Sequence, residues 1–549
     1  MNQPLTAHHP SQRPDWTWDV PEYFNIGVAC SDQHLHTPIA DTLAMIVEHD
    51  QWGTDRITFA GLSRRTHQFA QLLREHAIGF GERVLIRLPN SLDYPTAFLG
   101  TMKTGAIAVP TSTLLTPAEV DYLAQDSQAI VLVTDQQTWS DLVAQQTVSE
   151  HLRLILLCDG EDGLHQTESV KVLALAPALE RITDWEEPYT TRAEDSAYLV
   201  YTSGTTGYPK GVLHAHRSLL GRKPASRYWF DFDPKQQDRI LHSGKFNWTY
   251  VLGSGLMDPL YLGKTVIVYE GRNQADTWIN LIALHEATIF IGVPTIYRQI
   301  LQKTDFSVRD VPTLRHCMSA GEHLSDEVFT QWEDRFACKI YEAVGMSEFS
   351  YYLSSSPGHA IRPGSAGFPQ PGHRIQLLDP DTLEPVPVGE EGMICIPLDD
   401  PGLFVSYWRL PEETAKLRHD GWFFTGDYAR FDDEGYIWFL GRKDDIIKSF
   451  GYRVSPYEIE RVLKSNPAVA DCAAIGETVG PDKLLVVAYV ITHPESTTSA
   501  DELLVFAQAH LASYKAPKVI YLAKELPRTR NGKILRRAIN PDLAIAKSG

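Results

Sequence analysis

The sequence contains no long apolar run and no excess of basic residues. None of its apolar segments approaches the roughly 18 residues that a membrane-spanning helix needs, so we expect no membrane span. The N-terminus is polar and lacks the apolar core of a signal peptide, which predicts a cytoplasmic protein. The net charge of −19 argues against nucleic acid as the main partner, because nucleic-acid binding relies on clustered cations. A local basic pocket for a small anion remains compatible with this charge.

Cysteine is scarce, and its spacing shows neither a metal site nor a disulfide framework. There is no CxxC pair, and the composition is that of an ordinary soluble protein, with 43% hydrophobic and 22% charged residues. We therefore expect reduced thiols that serve mainly in packing. The six cysteines are Cys30, Cys158, Cys317, Cys338, Cys395 and Cys472.

The length of 549 residues exceeds what one hydrophobic core supports, so two or more domains are expected. Short runs rich in Val, Ile and Leu alternate with helical patterns such as "FAGLSRRTHQFAQLLREHA" and "LTPAEVDYLAQDS", which predicts an α/β fold with doubly wound sheets. From about residue 365 the pattern changes to short strands between Pro, Gly and Asp turns, as in a small β-barrel or sheet. We place a boundary between a large domain over 1–443 and a small α+β domain over 444–549.

The stretch "TSGTTGYPKG" over residues 202–211 directly follows an apolar strand pattern, "SAYLVY". Its glycines allow close approach of the backbone, and its hydroxyls, N–H groups and lysine suit the oxygens of a polyphosphate. It is not a Walker A loop, because Pro209 stands where that motif has its second glycine and Gly211 follows Lys210. Taken alone, the stretch could equally be a surface turn.

The longer string "YTSGTTGYPKGVLHAHRS" resembles the phosphate loop of the adenylate-forming superfamily, which includes acyl-CoA synthetases, luciferases and adenylation domains of peptide synthetases. "YEAVGMSE" (341–348), "FFTGDYARFDDEGYIWFLGRKDDIIKSFGYRVSPYEIE" (423–460) and "PRTRNGKILRR" (527–537) resemble its later motifs in the same order. The resemblance implies an acid-CoA ligase. Such an enzyme joins a carboxylic acid to the α-phosphate of ATP, releases pyrophosphate, and then transfers the acyl group from acyl-AMP to CoA.

The resemblance also implies roles for individual residues. Lys533, Glu348 and Ser347 would be catalytic, with Glu348 binding Mg²⁺, Ser347 at the α-phosphate and Lys533 at the carboxylate and α-phosphate. The small domain would rotate about Asp444 between the two half-reactions. The residues implied for ATP are Thr202, Ser203, Gly204, Thr205, Thr206, Gly207, Lys210, Gly321, Glu322, His323, Asp427 and Arg442, and those implied for CoA are Lys448, Gly451 and Arg453.

The acid itself is less clearly indicated. The segment "ILHSGKFNWTYVLGSG" (240–255) stands where relatives build the acyl pocket, and Phe246, Trp248, Tyr250 and the nearby Ala320 are candidates to line it. The alternative is an aromatic stripe in the core. "KFNWTYVLG" and the aliphatic Val344 resemble the benzoate-CoA ligase branch. We therefore expect a compact acid, either aromatic or aliphatic of short to medium chain length.

Several alternatives remain open from the sequence. An adenylation enzyme that loads a separate carrier protein would share the first half-reaction, and a homodimer is compatible with the resemblance. His214 and His216 could bind a metal, but no third ligand is evident, so we expect them to be structural. Taken alone, Glu348 could be a carboxylate at the start of a helix. Asp427 and Lys533, taken alone, could be turn residues.

Overall fold

The computed structural model describes residues 16–50, 53–202, 209–233, 236–321, 324–442, 445, 447–449, 452–480, 483–511, 513, 515–528 and 534–548. Several predicted site residues lie outside these ranges, namely Ser203, Gly204, Thr205, Thr206, Gly207, Glu322, His323, Asp444, Gly451 and Lys533.

Helices occur throughout the described part of the chain. They are α1 Ile26–Ser31, α2 Phe59–Glu75, α3 Asp93–Lys103, α4 Pro117–Ser127, α5 Gln136–Ala144, α6 Leu175–Glu180, α7 Ser218–Gly221, α8 Ala225–Tyr228, α9 Thr249–Leu252, α10 Asp258–Tyr261, α11 Thr277–His285, α12 Pro294–Lys303, α13 Asp326–Phe336, α14 Pro411–Ala415, α15 Pro456–Lys464 and α16 Ala500–His510. A π-helical turn, Gly253–Met257, joins α9 to α10, and short 3₁₀ turns cover Pro38–Asp41, Arg536–Ala538 and Pro541–Leu543.

The strands of the larger part are β1 Leu43–His49, β2 Gly53–Thr58, β3 Arg83–Ile86, β4 Ile107–Pro110, β5 Val131–Thr134, β6 Leu154–Leu157, β7 Lys171–Ala174, β8 Ser196–Thr202, β9 Lys210–Ala215, β10 Arg239–His242, β11 Thr265–Glu270, β12 Ile289–Gly292, β13 His316–Ala320, β14 Ile340–Val344, β15 Leu353–Ser354 and β16 Phe368–Pro369. They are followed by β17 Gln376–Leu378, β18 Gly392–Pro397, β19 Ser406–Tyr407, β20 Arg418–His419, β21 Trp422–Phe431, β22 Ile437–Arg442, β23 Ile447–Ser449, β24 Tyr452–Val454, β25 Val469–Gly480, β26 Lys483–Thr492, β27 Val519–Ala523 and β28 Ala544–Lys547.

Two large sheets carry most of the chain and confirm the predicted doubly wound α/β fold. One has the order β16-β15-β14-β13-β12-β10-β11-β1-β2, and the other has the order β19-β9-β8-β4-β3-β5-β6-β7. Their central strands run parallel and are almost wholly buried, as expected of apolar runs in parallel sheets. Helix α4 begins as predicted, with Pro117 in its first turn and a capping box between Thr116 and Glu119.

The change of pattern near residue 365 corresponds to a separate antiparallel sheet. Its order is β17-β18-β21-β20, and β22 pairs with β21. This sheet confirms the predicted small β subdomain. None of the helices within the described ranges combines the length and the apolar character that crossing a membrane requires.

The residues after 446 build their own core. The hairpin β23–β24, the sheet β25-β26-β27-β28 and helices α15 and α16 pack around side chains such as Ile459, Val486 and Ile520. This confirms a small C-terminal domain of strands and helices. Its boundary at residue 443, its mobility and the hinge at Asp444 stay predictions.

Candidate functional site

A large cavity lies where the carboxyl ends of the central strands face the antiparallel sheet and the C-terminal domain. Its volume is about 1350 Å³, and its wall includes the ends of β8 and β14, parts of β21 and β22, and residues after 456. In open α/β sheets, ligands bind in the crevice outside the carboxyl ends of the parallel strands. This cavity is therefore the candidate site.

The two described ends of the hydroxyl-rich loop meet at the cavity. Thr202 is the last residue of β8, and Lys210 is the first residue of β9 and faces it across the antiparallel pair. Both residues line the cavity. The five predicted phosphate-binding residues between them, Ser203–Gly207, lie outside the described residues, so their role stays a prediction.

Ser347 and Glu348 follow the end of β14 and line the same cavity. The hydroxyl of Tyr407 donates to Glu348 Oε1 at 2.6 Å, which fixes the direction of this carboxylate. Among the described residues, no three His, Cys, Asp or Glu side chains gather in a metal-binding group. Glu348 would supply a protein carboxylate to Mg²⁺. That donor fits Mg²⁺, which is commonly held by one or two carboxylates together with the phosphates of a nucleotide.

The histidine pair on β9 supports this part of the site. His214 Nε2 lies 2.8 Å from the carbonyl oxygen of Ser347, which can only accept, so Nε2 carries the proton. Burial lowers the pKa of His214 to about 3, which keeps its ring neutral. His216 Nδ1 accepts from the backbone N–H of Ile26 at 3.0 Å. Both histidines therefore bind backbone groups, and His214 holds the backbone next to Glu348.

Asp427 and Arg442 lie opposite each other on β21 and β22 and both line the cavity. Asp427 is 7% exposed, and its Oδ1 lies 3.7 Å from Arg442 Nε. Gly426 has a φ of +78°, a backbone conformation that favours glycine, and the N–H of Asp427 donates to Thr425 Oγ1 at 3.0 Å. A carboxylate acceptor and a guanidinium donor thus lie side by side, and a hydroxyl of ribose can donate to one and accept from the other.

The cavity wall at Gly321 is apolar. Gly321 has a φ of +92°, and a Cβ added there would lie 3.2 Å from Trp248 Cζ2 and Cη2, so the indole packs directly on the glycine. Trp248, Gly321, Ala343 and Val344 all line the cavity. The predicted adenine-binding neighbours of Gly321, Glu322 and His323, lie outside the described residues.

The predicted acyl-pocket residues fall into two layers. Trp248 is in the cavity wall. Phe246, Tyr250 and Ala320 are only 1%, 9% and 8% exposed. Phe246 packs in the core against Tyr94, with ring centroids 5.0 Å apart, which matches the alternative of a core aromatic. Tyr250 packs behind Trp248 at a centroid distance of 5.3 Å, so any contact of Tyr250 or Ala320 with an acid stays a prediction.

Residues of the C-terminal domain also line the cavity. Leu535 and Arg537 lie in its wall, and Arg528 and Ile534, which precede and follow the segment with Lys533, form an antiparallel bridge. Lys533 and Gly451 are outside the described residues. In the predicted CoA segment, the backbones of Lys448 and Arg453 pair in the hairpin β23–β24.

The charge of the cavity wall differs from that of the whole chain. The chain has a net charge of −19. The described lining residues include the cations Lys210, Arg430, Arg442, Arg461, Lys515 and Arg537, and the acidic residues Glu119, Glu342, Glu348, Asp427 and Glu458. A nearly balanced wall inside an acidic protein is compatible with an anionic ligand.

Glu342 lines the cavity and was not predicted from the sequence. It lies on β14, and its Oε1 accepts from the backbone N–H of Leu324 at 2.9 Å. Burial raises the pKa of Glu342 to about 8. The signal that could have identified it is a lone carboxylate within an otherwise apolar parallel strand, "IYEAV".

This carboxyl predicts a specific pH dependence of stability. Because its pKa is raised on folding, the folded protein binds a proton that the unfolded chain releases, and stability is lost as pH rises from the ordinary glutamate value through 8. The melting temperature of Glu342→Gln minus that of wild type should therefore be larger at pH 9 than at pH 6, by roughly 2–4 °C. Thermal scans check this. Glu390→Gln, at an exposed turn, is the control, and parallel pH profiles for Glu342→Gln and wild type would contradict the prediction.

Comparisons with known proteins agree with this site. The profile of the AMP-binding enzyme family matches residues 37–408, and that of the AMP-binding enzyme C-terminal domain matches residues 458–533. The 3-hydroxybenzoate–CoA/4-hydroxybenzoate–CoA ligase of Thauera aromatica is 34% identical over 493 residues, covering 87% of this chain and 90% of that protein. The mitochondrial acyl-coenzyme A synthetase ACSM3 of Rattus norvegicus is 29% identical over 555 residues, covering 97% of this chain and 93% of that protein. Among solved structures, the anthranilate CoA ligase AuaEII in complex with anthranoyl-AMP superposes with a TM-score of 0.82 at 31% identity, covering 94% of this chain and 96% of that one.

Proposed function

Because the chain belongs to the AMP-binding enzyme family and is an ATP-dependent acyl-CoA synthetase, we propose that its preferred acid is a benzoate-sized aromatic carboxylate. The observation that carries this proposal is the position of Trp248, whose indole packs on Gly321 and lines the cavity that also contains Glu348 and Asp427. An indole at this position shortens the space behind a bound carboxylate. The names of the hydroxybenzoate and anthranilate ligases support the same class of acid.

The first half-reaction brings two anions together, so the site must neutralise charge. We assign the loop from Thr202 and Lys210 to the β- and γ-phosphates of ATP, and the Asp427–Arg442 pair to the ribose. Glu348 would hold Mg²⁺, which supplies charge neutralisation at the phosphate oxygens when it is bound. Lys533 would donate to the carboxylate and α-phosphate oxygens. Each role is supported by motif resemblance and, for the described residues, by a position in one cavity.

CoA is proposed as the acceptor in the second half-reaction. The relatives named above are CoA ligases or a CoA synthetase, so the carrier-protein alternative gains no support from them. We assign the segment 448–453, which includes Gly451, to CoA after rotation of the C-terminal domain about Asp444. Such a hinge separates the two reactions by exchanging which part of the domain borders the site.

The direct experiment is ATP–pyrophosphate exchange over a panel of acids from acetate to laurate, with benzoate, hydroxybenzoates and anthranilate included. CoA is then added to each acid that supports exchange. Exchange with the aromatic acids followed by CoA-dependent AMP release supports the proposal. Exchange that is strongest with medium-chain aliphatic acids would replace the aromatic class by the aliphatic one, and exchange without thioester formation would favour a separate carrier protein.

Trp248→Ala is expected to shift the acid preference towards larger substrates. Removing the indole opens space beside Gly321, and each additional methylene that fits is worth on the order of 1–3 kcal/mol, so the kcat/KM ratio of octanoate to benzoate should rise about 10-fold or more. Steady-state AMP release measures this ratio. Trp438→Ala is the matched control, because Trp438 lines the same cavity from the antiparallel sheet. An unchanged ratio in Trp248→Ala would rule out the indole as the limit of the pocket.

A further inference from the structure

Residues 406–415, which follow the hairpin β17–β18, are fixed against strand β9, which begins at Lys210. Strand β19 pairs with β9, with Tyr407 opposite Val212. The N–H of Trp408 donates to the carbonyl of Gly211 at 2.7 Å, directly after Lys210. Helix α14 follows at once, and its Thr414 hydroxyl accepts from the N–H of Tyr407 at 2.9 Å. These bonds hold α14 beside the end of the loop.

Glu413 on α14 lies between two lysines. Its Oε2 accepts from Lys210 Nζ at 2.9 Å, and its Oε1 accepts from Lys416 Nζ at 2.6 Å. Hydrogen bonds from Lys416 and Lys210 lower the pKa of Glu413 to about 2, so it is a carboxylate at any physiological pH. The three side chains together carry one positive charge, so the cluster as a whole stays cationic.

Lys210 is held from a second side. Its ammonium lies 5.5 Å from the ring centroid of Tyr407, within reach of a cation–π interaction. With one N–H directed to Glu413 and one face on an aromatic ring, the ammonium keeps other N–H groups for a ligand in the cavity that Lys210 lines. A lysine side chain has four rotatable bonds, so such contacts decide where its charge lies before a ligand arrives.

We infer that Glu413 is a positioning residue that orients Lys210 for the phosphates of ATP. Glu413 itself touches Lys210 and Lys416, not the nucleotide. The inference rests on the proposed role of Lys210 and not on the identity of the acid. Because ATP binding can be measured without any acid, failure of the aromatic-acid proposal leaves this inference testable.

The test is calorimetric binding of ATP with Mg²⁺ and no acid. Glu413→Ala should raise the Kd about 3- to 10-fold, and Glu413→Gln should fall between this value and wild type, because the amide oxygen still accepts from Lys210. Glu412→Ala is the matched control, since Glu412 is the preceding exposed acid on the same helix and makes no described contact with Lys210. Its Kd should equal that of wild type.

A double-mutant cycle with Lys210→Met separates positioning from a general effect on the fold. If Glu413 acts through Lys210, adding Glu413→Ala to Lys210→Met should change the Kd less than about twofold. An equal loss in both backgrounds would mean that Glu413 only supports α14, and would overturn the inference. Tighter ATP binding by Glu413→Ala would mean that Glu413 competes with ATP for Lys210, and this would also overturn the inference. An unchanged Kd in Lys210→Met would overturn it too, because Lys210 would then not bind ATP.

Discussion

Lys533→Ala is expected to slow formation of the acyl adenylate about 100- to 1,000-fold, the usual loss when one donor to developing charge is removed. Transfer of a supplied acyl adenylate to CoA should remain within about twofold of wild type, because we propose no role for this lysine in the second half-reaction. The physical reason is that only the first half-reaction joins two anions. Charge changes on the carboxylate and α-phosphate oxygens in that step, where an ammonium gains interaction energy in the transition state.

The two half-reactions are measured separately, by ATP–pyrophosphate exchange and by thioester formation from chemically prepared acyl-AMP. Lys524→Ala is the matched control, because Lys524 is an exposed lysine of the same domain. The position of the neighbouring residues supports the choice of Lys533, since Leu535 and Arg537 line the cavity. Equal losses in both half-reactions would refute the assignment of Lys533 to adenylation alone.

Asp427→Asn is expected to weaken ATP binding about 10- to 150-fold, since a hydrogen bond to a charged group contributes about 1.5–3 kcal/mol. Asp427 is 7% exposed and lies opposite Arg442, so its carboxylate can accept from ribose hydroxyls with little competition from water. Asparagine keeps the size of the side chain but removes the charge and converts one acceptor into a donor.

Comparing ATP with 2′-deoxy-ATP connects this loss to the ribose. Wild type should bind the deoxynucleotide more weakly than ATP, and this difference should largely disappear in Asp427→Asn. Asp432→Asn is the control from the same hairpin, where Asp432 pairs with Arg362 at 2.9 Å. It should lower the melting temperature without changing the preference for ATP. If Asp427→Asn weakens both nucleotides equally, Asp427 does not contact the 2′-hydroxyl.

The architecture could be predicted from the sequence because helices, buried strands and turns each leave a local sequence pattern. Buried parallel strands are short apolar runs, and the helix at Pro117 begins with a Thr, Pro and Glu in the order that a capping box uses. The change to turn-rich short strands near residue 365 likewise marked the antiparallel sheet. Strand order was not accessible, because the pairing of β10 with both β11 and β12 depends on contacts between distant segments.

Site residues could be predicted from the sequence only where they belong to a motif. Lys210, Glu348 and Asp427 were named from motifs and lie in one cavity. Glu342, Tyr407 and Glu413 were missed, because their importance comes from tertiary contacts: a carboxyl in the cavity wall, a hydroxyl on Glu348 and a carboxylate on Lys210. Glu413 read alone is an ordinary acidic residue in the first turn of a helix.

Phe246 shows how the two interpretations of one aromatic pattern separate. Phe246, Trp248 and Tyr250 were candidates to line the acyl pocket, with an aromatic stripe in the core as the alternative. The regular alternation ends at Trp248, because α9 begins directly after it. Trp248 lines the cavity, while Phe246 packs against Tyr94 in the core. An alternating pattern predicts a common face only within a regular strand.

The most direct test is a competition assay with the purified chain, ATP, Mg²⁺ and CoA. An equimolar mixture of benzoate, 3- and 4-hydroxybenzoate, anthranilate, octanoate and laurate is supplied, and the acyl-CoA products are quantified by mass spectrometry at low conversion. A benzoate-type thioester should dominate, at least about 10-fold over lauroyl-CoA, if Trp248 limits the length of the acyl pocket as we propose. Predominant formation of lauroyl-CoA, or of octanoyl-CoA over every aromatic product, would contradict the assignment of this enzyme to compact aromatic acids.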